Sequence, residues 1–446
     1  MNCHLRSRST HWQEEADPLE HCIETDVCVV GGGMAGTAAA LAAARRGARV
    51  VLVERAGFLG GAATAGAVSQ FVGWHTRAGR KVVGGIGDDI VAELTGLGGA
   101  DGFDWFTMST GHRMDRIAYA PEILKVALDR LVRRAGIRVM FHATLCGVTS
   151  EAGRIESVSV ATSGGTWQIT AHSFIDSSGD MTLLSEAGAE FLAEAESGRQ
   201  PATMMFAMAP VDFERLGNVT REAKAEIVAR GLASGDLPRA ALHYSPVPGA
   251  ATAWFNISRV SVDPTDPFSL AAGEMEGREQ ALQIARFLTA NLPGCEAAQL
   301  MMMAPALGVR DTRRIRGEHV LTAAELREST PFTDTIACGA YPIDIHHADS
   351  AELTIEEFGE THFYRIPFRS LIPKGLVNLA AAGRGISAEA EAFAAVRVMP
   401  TAMATGQAAG LAAAMVAGSN SGDFRAIDSA VLRAGLRDAG AFLGDG

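Results

Sequence analysis

The sequence predicts an α/β fold in which a parallel-sheet domain is interleaved with a second, mixed α+β domain. An apolar run at 27–30 enters a glycine-rich turn, and an alanine-rich helical run leads to another apolar strand at 50–53. A helical pattern at 121–135 precedes a further apolar strand at 137–141. Residues 377–382 again have the pattern of a buried strand, with a helix to follow. Alternation of strands and helices indicates a parallel sheet.

The first turn carries the pattern G-x-G-x-x-G at Gly31, Gly33 and Gly36. In a strand–turn–helix–strand context this pattern is typical of a Rossmann-type dinucleotide-binding unit, although a structural glycine turn is the alternative. Gly31 permits the tight turn, Gly33 lets a pyrophosphate approach the backbone, and Gly36 lets the helix pack closely. Phosphates would lie at the helix N-terminus, around Met34 and Ala35, where free N–H groups and the helix dipole stabilise them.

The residues after the second strand bear on which dinucleotide binds. Glu54 lies 18 residues after Gly36, and a carboxylate at this position accepts hydrogen bonds from a ribose and disfavours the 2′-phosphate of NADP. After Arg55, a second glycine pair, Gly60 and Gly61, indicates a chain that runs flat against a ligand, where side chains would block the approach. A simple NAD dehydrogenase does not require such a segment, so its presence favours FAD over NAD as the bound dinucleotide. A flexible surface loop is the alternative.

The far end of the chain supplies two more candidate contacts. Gly383 and Arg384 follow the last predicted strand, and Pro400 suits the first turn of the following helix. The N-terminus of that helix, with Thr401 and Ala402, would face an electron-rich group such as a reduced flavin. A tightly packed core helix is the alternative, and both can hold.

A third candidate segment is the Ser-Ser-Gly-Asp turn that contains Ser178 and Gly179. Apolar residues lead into it, so the turn follows a predicted strand end. It is equally consistent with an ordinary turn and with a site near a phosphate or adenine.

The chain is expected to divide into four parts: a polar tail at 1–23, a discontinuous nucleotide-binding domain at 24–189 and 370–418, a substrate domain at 190–369, and a terminal loop and helix at 419–446. Residues 148–172 predict a small antiparallel insertion. The substrate domain has strand patterns at 203–209, 253–258 and 319–321 and helical patterns at 221–233 and 274–292. Methionines 301–303 are expected to fill the core rather than a ligand-adaptive surface.

Composition excludes several classes of function. The formal net charge of −12 disfavours binding to nucleic acid or anionic membranes, which requires basic surface. The six cysteines form no C-x-x-C pair, which argues against dithiol, zinc-ribbon and cluster sites. No apolar stretch approaches the ~20 residues of a spanning helix, and residues 1–23 do not resemble a secretory signal. We expect a cytoplasmic protein.

Several stretches together resemble the FAD-dependent oxidoreductases related to the flavin subunit of heterodisulfide reductases, which have a glutathione-reductase-like FAD fold. The matching stretches are VVGGGMAGTAAALAAARRGARVVLVER, GFLGGAATAG, FIDSSGDMTLLSEAGAEF, GVRDTRRIRGEHVLT, ACGAYPIDIH, YRIPFRSLIPKGLVNLAAAGRGIS and RVMPTAMATGQAAGLAAA, between residues 26 and 415. The chain lacks the additional cysteines that ligate iron–sulfur clusters in such relatives, which argues against disulfide chemistry.

The resemblance implies a role for each segment. The glycines of the first turn would hold the FAD pyrophosphate, Glu54 the adenosine ribose, and Gly60–Gly61–Ala62–Ala63 the ribitol and isoalloxazine. Ser178 and Gly179 would lie near the adenosine half, and Gly383 and Arg384 near the ribitol and pyrophosphate. The helix after Pro400 would face the pyrimidine edge.

Four residues are candidates for catalysis. Asp344 and His346 are two apart, so on a strand they share one face, and a carboxylate can tune a histidine that titrates near neutral pH. The resemblance implies that their segment lies near the flavin; a structural pair, or a metal site with His347, are the alternatives. Arg369 could clamp a substrate carboxylate or anchor the domains by a salt bridge, and Tyr364 lies nearby in sequence.

The other charged candidates are weaker. Arginines 310, 313, 314 and 316 form a run that is typical of a solvated or interdomain face, with an anion site as the alternative. His75 and His362 are less favoured as catalytic groups.

The expected activity is that of a dehydrogenase or oxidase that moves a hydride from a small organic substrate to flavin N5. A flavin monooxygenase, a non-catalytic flavin-binding subunit of a complex and an NAD-only dehydrogenase remain alternatives. The sequence lacks a second G-x-G-x-x-G unit, so the electron acceptor is expected to be oxygen, a carrier protein or a diffusible acceptor. A homo-oligomer is compatible with the sequence.

Overall fold

The computed structural model describes residues 21–107, 111–194, 198–347 and 353–445. The strands in this part of the chain are β1 (Cys22–Val30), β2 (Val50–Val53), β3 (Gln70–Val72), β4 (Asp104–Thr107), β5 (Arg113–Ala118), β6 (Arg138–Met140), β7 (Thr144–Glu151), β8 (Arg154–Thr162), β9 (Gly165–Asp176), β10 (Phe206–Ala209), β11 (Tyr244–Pro246), β12 (Ala253–Phe255), β13 (Gln299–Met303), β14 (Thr335–Gly339), β15 (Ile343–His346), β16 (Leu353–Glu356), β17 (Tyr364–Pro367) and β18 (Leu379–Ala381).

The α-helices of the same part are α1 (Met34–Arg45), α2 (Ile86–Gly96), α3 (Pro121–Arg134), α4 (Thr182–Glu186), α5 (Phe213–Gly217), α6 (Arg221–Ser234), α7 (Pro267–Asn291), α8 (Ala323–Glu328), α9 (Ala390–Val396), α10 (Met399–Ala417) and α11 (Ser429–Asp438). Local sequence fixes many of their ends. Helix α3 begins with a proline and has arginines in its last turn, and α6 has a threonine N-cap and a left-handed glycine C-cap.

The main sheet confirms the predicted parallel unit. Strands β6, β2, β1, β9 and β18 lie side by side in that order, and each neighbouring pair is parallel. Strand β6, which follows α3, is the predicted third parallel strand. The N-terminal half of β9 forms an antiparallel meander with β8 and β7, as predicted for the insertion. The carboxyl ends of β1, β9 and β18 therefore meet at one edge, where α/β proteins bind ligands.

Two helices from opposite ends of the chain pack against each other on this sheet. A Cβ on Gly406 of α10 would overlap the backbone of Ala35 in α1, and one on Gly410 would overlap Ala39. The two helices thus approach backbone to backbone, as the small residues of α10 predict. This contact fixes both helix N-termini at the same edge of the sheet.

A second, smaller sheet has the order β11-β12-β10-β13 and packs with α7 around its own apolar core, which extends from Ala202 to Leu307. The prediction that methionines 301–303 fill this core is wrong for two of them. Strand β13 is an edge strand, and Met301 and Met302 are 59% and 46% exposed.

The remaining segments extend the larger core. Residues between Leu321 and Ile372 pack with α1 and α10 rather than with the second sheet. The strand predicted at 319–321 is reduced to an isolated bridge between Leu321 and Ala388. The domain boundaries given above stay a prediction. No helix in the described ranges is long and apolar enough to cross a membrane.

Candidate active site

The turn between β1 and α1 is constrained to glycine at two positions. Gly31 has φ +97°, and an added Cβ would lie 2.5 Å from the backbone N and Cα of Ser178. A Cβ on Gly36 would overlap the carbonyl oxygen of Gly31 and the Ser177 hydroxyl. These contacts hold the turn and the first turn of α1 against the end of β9.

Gly33 differs from both, because an added Cβ there would meet nothing closer than Gly61 Cα at 3.9 Å. Gly33 is the N-cap of α1, and no side chain caps the first N–H groups of the helix. The backbone at Gly33 therefore leaves room for a ligand beside the first N–H groups of the helix, although the side chains of Met34 and Ala35 are buried. This arrangement fits a pyrophosphate, which such N–H groups and the helix dipole stabilise.

The second glycine segment runs directly over the first turn. The Gly60 N–H donates to the Gly32 carbonyl at 2.8 Å, and a Cβ on Gly61 would lie 2.9 Å from Gly33 Cα. Both residues have positive φ, +111° and +53°. The segment around Gly60 and Gly61 packs on the turn between β1 and α1 and is not a free surface loop.

Glu54 lies beside these two segments. Its carboxylate accepts the N–H groups of Gly32 and Ala56, each at 2.7 Å, and the side chain is buried. These bonds hold the carboxylate at the end of β2, while its remaining lone pairs can still accept a hydroxyl. The neighbouring Arg55 is exposed, and its guanidinium lies 3.9 Å from Asp180.

Arg384 ties the remaining predicted segments together. Its Nε donates to the Gly179 carbonyl at 2.8 Å, and a terminal nitrogen bonds Asp180 at 2.6 Å. Another terminal nitrogen donates to the Val309 carbonyl. Ser178, Gly179, Gly383 and Arg384 thus lie around the same sheet edge as Gly31. We call this whole glycine-rich arrangement, formed by Gly31–Gly36, Glu54, Gly60–Ala63, Ser178–Gly179 and Gly383–Arg384, the cradle.

A cavity of about 190 Å³ lies next to the cradle. Ala62 and Arg384 of the cradle and Val398 and Met399 at the start of α10 line one side of it. The buried residues Pro400, Thr401 and Ala402 follow in the first turn of α10. The other walls come from the second sheet and from the segment around β15; they include Thr203, Met205, Arg239, Asn256, Arg310, Tyr341, Asp344 and His346.

Asp344 is the centre of a polar cluster in this cavity. Its Oδ2 accepts the Tyr341 hydroxyl at 2.8 Å and lies 3.4 Å from His346 Nε2 and 3.6 Å from Arg397. Burial opposes ionisation, but the interactions with His346 and Arg397 and the Tyr341 hydrogen bond outweigh it and hold the pKa of Asp344 below its ordinary value. The prediction that Asp344 and His346 share one strand face is confirmed.

The family model described as FAD dependent oxidoreductase matches residues 26–436. The chain belongs to this family. It is therefore an enzyme, and its cofactor is FAD. The cradle contains the free helix N-terminus and side-chain-free surface that the FAD pyrophosphate needs.

Several solved structures are similar to this FAD-dependent oxidoreductase over most of its length. A geranylgeranyl bacteriochlorophyll reductase-like protein from Thermoplasma acidophilum is 14% identical with a TM-score of 0.48, and the match covers 94% of this chain and 83% of that one. For p-nitrophenol 4-monooxygenase from Pseudomonas putida the identity is 12%, the TM-score 0.49 and the coverage 94% and 84%. A myxobacterial chondrochloren halogenase is 17% identical, with a TM-score of 0.42 and coverage of 94% and 79%.

His346 is the neutral partner in the oxidoreductase's polar cluster. Burial first, and then the charge of Arg310, lower the pKa of His346 to about 3 against the opposing effect of Asp344. The imidazole is therefore uncharged at neutral pH, and Asp344 is the neighbour that favours its protonated form. Neighbouring His347 bonds Thr354 at 2.7 Å, and no group of three His, Cys, Asp or Glu side chains within the described ranges could hold a metal.

Two predicted catalytic residues lie elsewhere. Arg369 does not line the cavity; its Nε donates to Asp334 at 3.0 Å, so the structure supports the salt-bridge alternative. Tyr364 is fully buried in the core, where its hydroxyl donates to the Ala395 carbonyl at 3.0 Å. Their positions do not support catalytic roles. Of the weaker candidates, His75 and His362 line a separate cavity of about 30 Å³.

The sequence pattern misses much of the cavity. Tyr341, Arg397, Arg239 and His243 all line it, and none of them was a candidate. Arg310 lines it too, although its run of arginines is typical of a solvated face. One signal was present: Arg239 lies in the apolar stretch LPRAAL, and an arginine among apolar residues is a candidate for a buried charge.

Proposed function

We propose that this oxidoreductase is a dehydrogenase or oxidase that removes a hydride from a carbon atom of a small organic substrate. The observation that carries this proposal is the neutral His346, held beside Asp344 in a cavity that Ala62 and Arg384 of the cradle and the start of α10 also line. The cavity is smaller than the about 300–1,000 Å³ of pockets for drug-sized ligands, which favours a small substrate.

The cradle residues would hold the cofactor as follows. Gly31, Gly33 and Gly36 would contact the pyrophosphate, and Glu54 the adenosine ribose. Gly60–Ala63 and the N-terminus of α10 would lie along the ribitol and the ring system. When bound, FAD supplies the acceptor for the two electrons and the hydrogen that leave the substrate carbon.

The protein's own task is to hold the substrate and to take up a proton. Oxidation of a C–O or C–N single bond to a double bond releases one proton from the heteroatom besides the hydride. His346 accepts this proton, because its uncharged ring lines the cavity and the carboxylate of Asp344 favours the protonated ring. Asp344 fixes the ring and stabilises the imidazolium that results, and the Tyr341 hydroxyl and Arg397 hold Asp344.

The type of FAD domain, the related group of enzymes and the cellular location are part of the same proposal. We infer a glutathione-reductase-type FAD domain, a relationship to the flavin subunit of heterodisulfide reductases, and a cytoplasmic location. Thiol chemistry is not part of it: burial raises the pKa of Cys295 to about 11 and of Cys338 to about 12, so both thiols stay protonated, and no described cysteine lines the cavity.

An anaerobic substrate screen tests this function. Purified protein with bound FAD is mixed with alcohols, amines and amino or hydroxy acids, and the absorbance near 450 nm is followed (a standard flavin wavelength). We expect one class to bleach the flavin without NAD(P)H and to yield the carbonyl or imine product. Bleaching by NADH or NADPH alone, followed by a hydroxylated product on admission of oxygen, would instead identify a monooxygenase.

A further inference from the structure

The walls of the cavity carry an excess of positive charge. Four arginines line it, Arg239, Arg310, Arg384 and Arg397, and Asp344 is the only acidic side chain among the described residues that do so. Arg384 is paired with Asp180, and Arg397 lies near Asp344. Neither Arg239 nor Arg310 forms an ion pair with a described acidic residue, although the charge of Asp344 acts on both from a longer distance.

Arg239 is the more unusual of the two. It is only 8% exposed, yet its guanidinium makes no hydrogen bond or ion pair to any residue that the structure describes. Burial lowers its pKa to about 10, which still leaves it protonated at neutral pH. A buried charge without a contacting partner is costly, which makes Arg239 a candidate for binding an anionic ligand.

Arg310 is held in place by neutral acceptors. One terminal nitrogen donates to the Pro201 carbonyl at 2.6 Å and the Thr203 hydroxyl at 2.7 Å, and the other to Asn256 at 3.3 Å. These bonds fix the guanidinium without neutralising its charge. A charge fixed in advance binds an anion without a further loss of side-chain entropy.

We propose that the cavity selects substrates that carry a carboxylate, which Arg239 binds with Arg310 alongside. The proposal rests on the oxidoreductase function given above and names its substrate class. A planar carboxylate matches the fork of a guanidinium. Val68, Val72 and Met205 add apolar wall beside the arginines, which suits the carbon body of an organic acid.

A groove beside the cavity has the same sign of charge. An open groove of about 910 Å³ shares His243 with the cavity and is lined by Arg116, Arg221 and Lys224 but by no acidic residue among those described. Arg116 is paired with Asp104, whereas its two basic neighbours have no such partner among the described residues of the groove wall. Apolar side chains such as Phe213 and Leu232 cover much of the rest. The groove therefore suits an organic acid with an apolar body.

The test compares ligands that differ in charge and little in shape. Holoprotein is titrated with benzoate, its neutral isostere benzamide, acetate and inorganic phosphate, and binding is read from the flavin absorbance spectrum and from the melting temperature. We expect benzoate or acetate to bind and to perturb the spectrum, and benzamide to bind at least tenfold more weakly. Equal affinity for benzoate and benzamide, binding of phosphate alone, or no binding by either carboxylate overturns the proposal.

Variants assign the effect to Arg239. Arg239→Gln is expected to weaken carboxylate binding by about 10- to 100-fold, the range of charge-assisted hydrogen bonds. FAD content and the affinity for benzamide stay unchanged. Arg215→Gln, which removes an exposed arginine of the same domain, serves as the control. It is expected to change neither the affinity for carboxylates nor the FAD content. Unchanged benzoate affinity in a folded Arg239→Gln protein overturns the assignment.

The outcomes separate this inference from the proposed function. If a carboxylate binds through Arg239 but no substrate bleaches the flavin, the anion site stands and the dehydrogenase function fails. If alcohols or amines without a carboxylate bleach the flavin at least as fast as the amino or hydroxy acids do, the function stands and the anion site fails.

Discussion

The cradle is built almost entirely from backbone, whereas the cavity beside it is built from side chains that converge from distant segments. In the cradle, Gly31, Gly33 and Gly36 lie within six residues, and what matters is the absence of a side chain. In the cavity, Arg239, Arg310 and Asp344 come from three segments that only the fold brings together. The first region therefore tolerates no added atoms at Gly31 and Gly36, and the second depends on charge and hydrogen bonds.

The largest effect is expected where the cradle is tightest. Gly36→Ala places a Cβ into the Gly31 carbonyl, so the turn must open and FAD affinity should fall at least about 100-fold, about 2.8 kcal/mol. The ratio of flavin to protein absorbance after purification measures this. Gly96→Ala is the matched control, because a Cβ there meets nothing within 4 Å. Full FAD content in Gly36→Ala would break the account of the cradle.

In the cavity we expect loss of rate with retention of the cofactor. His346→Gln removes the proton acceptor and should lower kcat by about 10²–10⁴-fold, the usual range for a general base. FAD content should stay that of the parent protein. His362→Gln, which changes a histidine in the separate small cavity, should leave kcat unchanged. Equal effects of the two substitutions would rule out His346 as the base.

The buried histidines make stability depend on pH. Burial lowers the pKa of His243 to about 4 and of His346 to about 3, below the ordinary value of 6.5, so the unfolded chain binds protons first as the pH falls. Their contribution is complete above about pH 6.5 and is lost towards pH 4, by about 1.4 kcal/mol per pH unit for each histidine. Urea unfolding at several pH values measures the slope.

Single variants sharpen this prediction. His243→Gln should remove about half of the slope between pH 6 and pH 4, whereas the same change at the exposed His172 should leave it intact. A slope that neither cavity histidine alters would show that other groups dominate.

The smallest effect is expected at Arg369. Because the Arg369 side chain is half exposed and its backbone N–H still donates to the buried Asp334, Arg369→Gln should cost about 0–1 kcal/mol of the free energy of unfolding. It should leave kcat within about twofold of the parent value, which corresponds to a change of ~0.4 kcal/mol or less in the activation free energy. A large loss of activity with unchanged stability would return Arg369 to the active site.

The sequence predicted the parts of the molecule that depend on local patterns. The G-x-G-x-x-G turn, α3, the parallel strand β6 and the proline-started α10 all follow from spacing, glycine chemistry and helix-end preferences, and each is present. The pair Asp344 and His346 was predicted because two residues on a strand share a face.

The rest depended on tertiary placement. The methionines of β13 are exposed because this strand lies at a sheet edge, which composition does not reveal. The sequence alone does not distinguish the roles of Arg369 and Arg239. Only the fold places Arg369 beside Asp334 and Arg239 in the wall of the cavity. Tyr364 lies close to the predicted site in sequence but fills the core.

A crystal structure of the protein with FAD bound tests the central claim most directly, namely that the cradle holds the cofactor with its reactive end at the cavity. We predict that the pyrophosphate lies at the N-terminus of α1 and that the isoalloxazine ring borders the wall formed by Ala62 and Met399, facing His346. A ring that lies away from this wall, with His346 out of reach, would contradict the account.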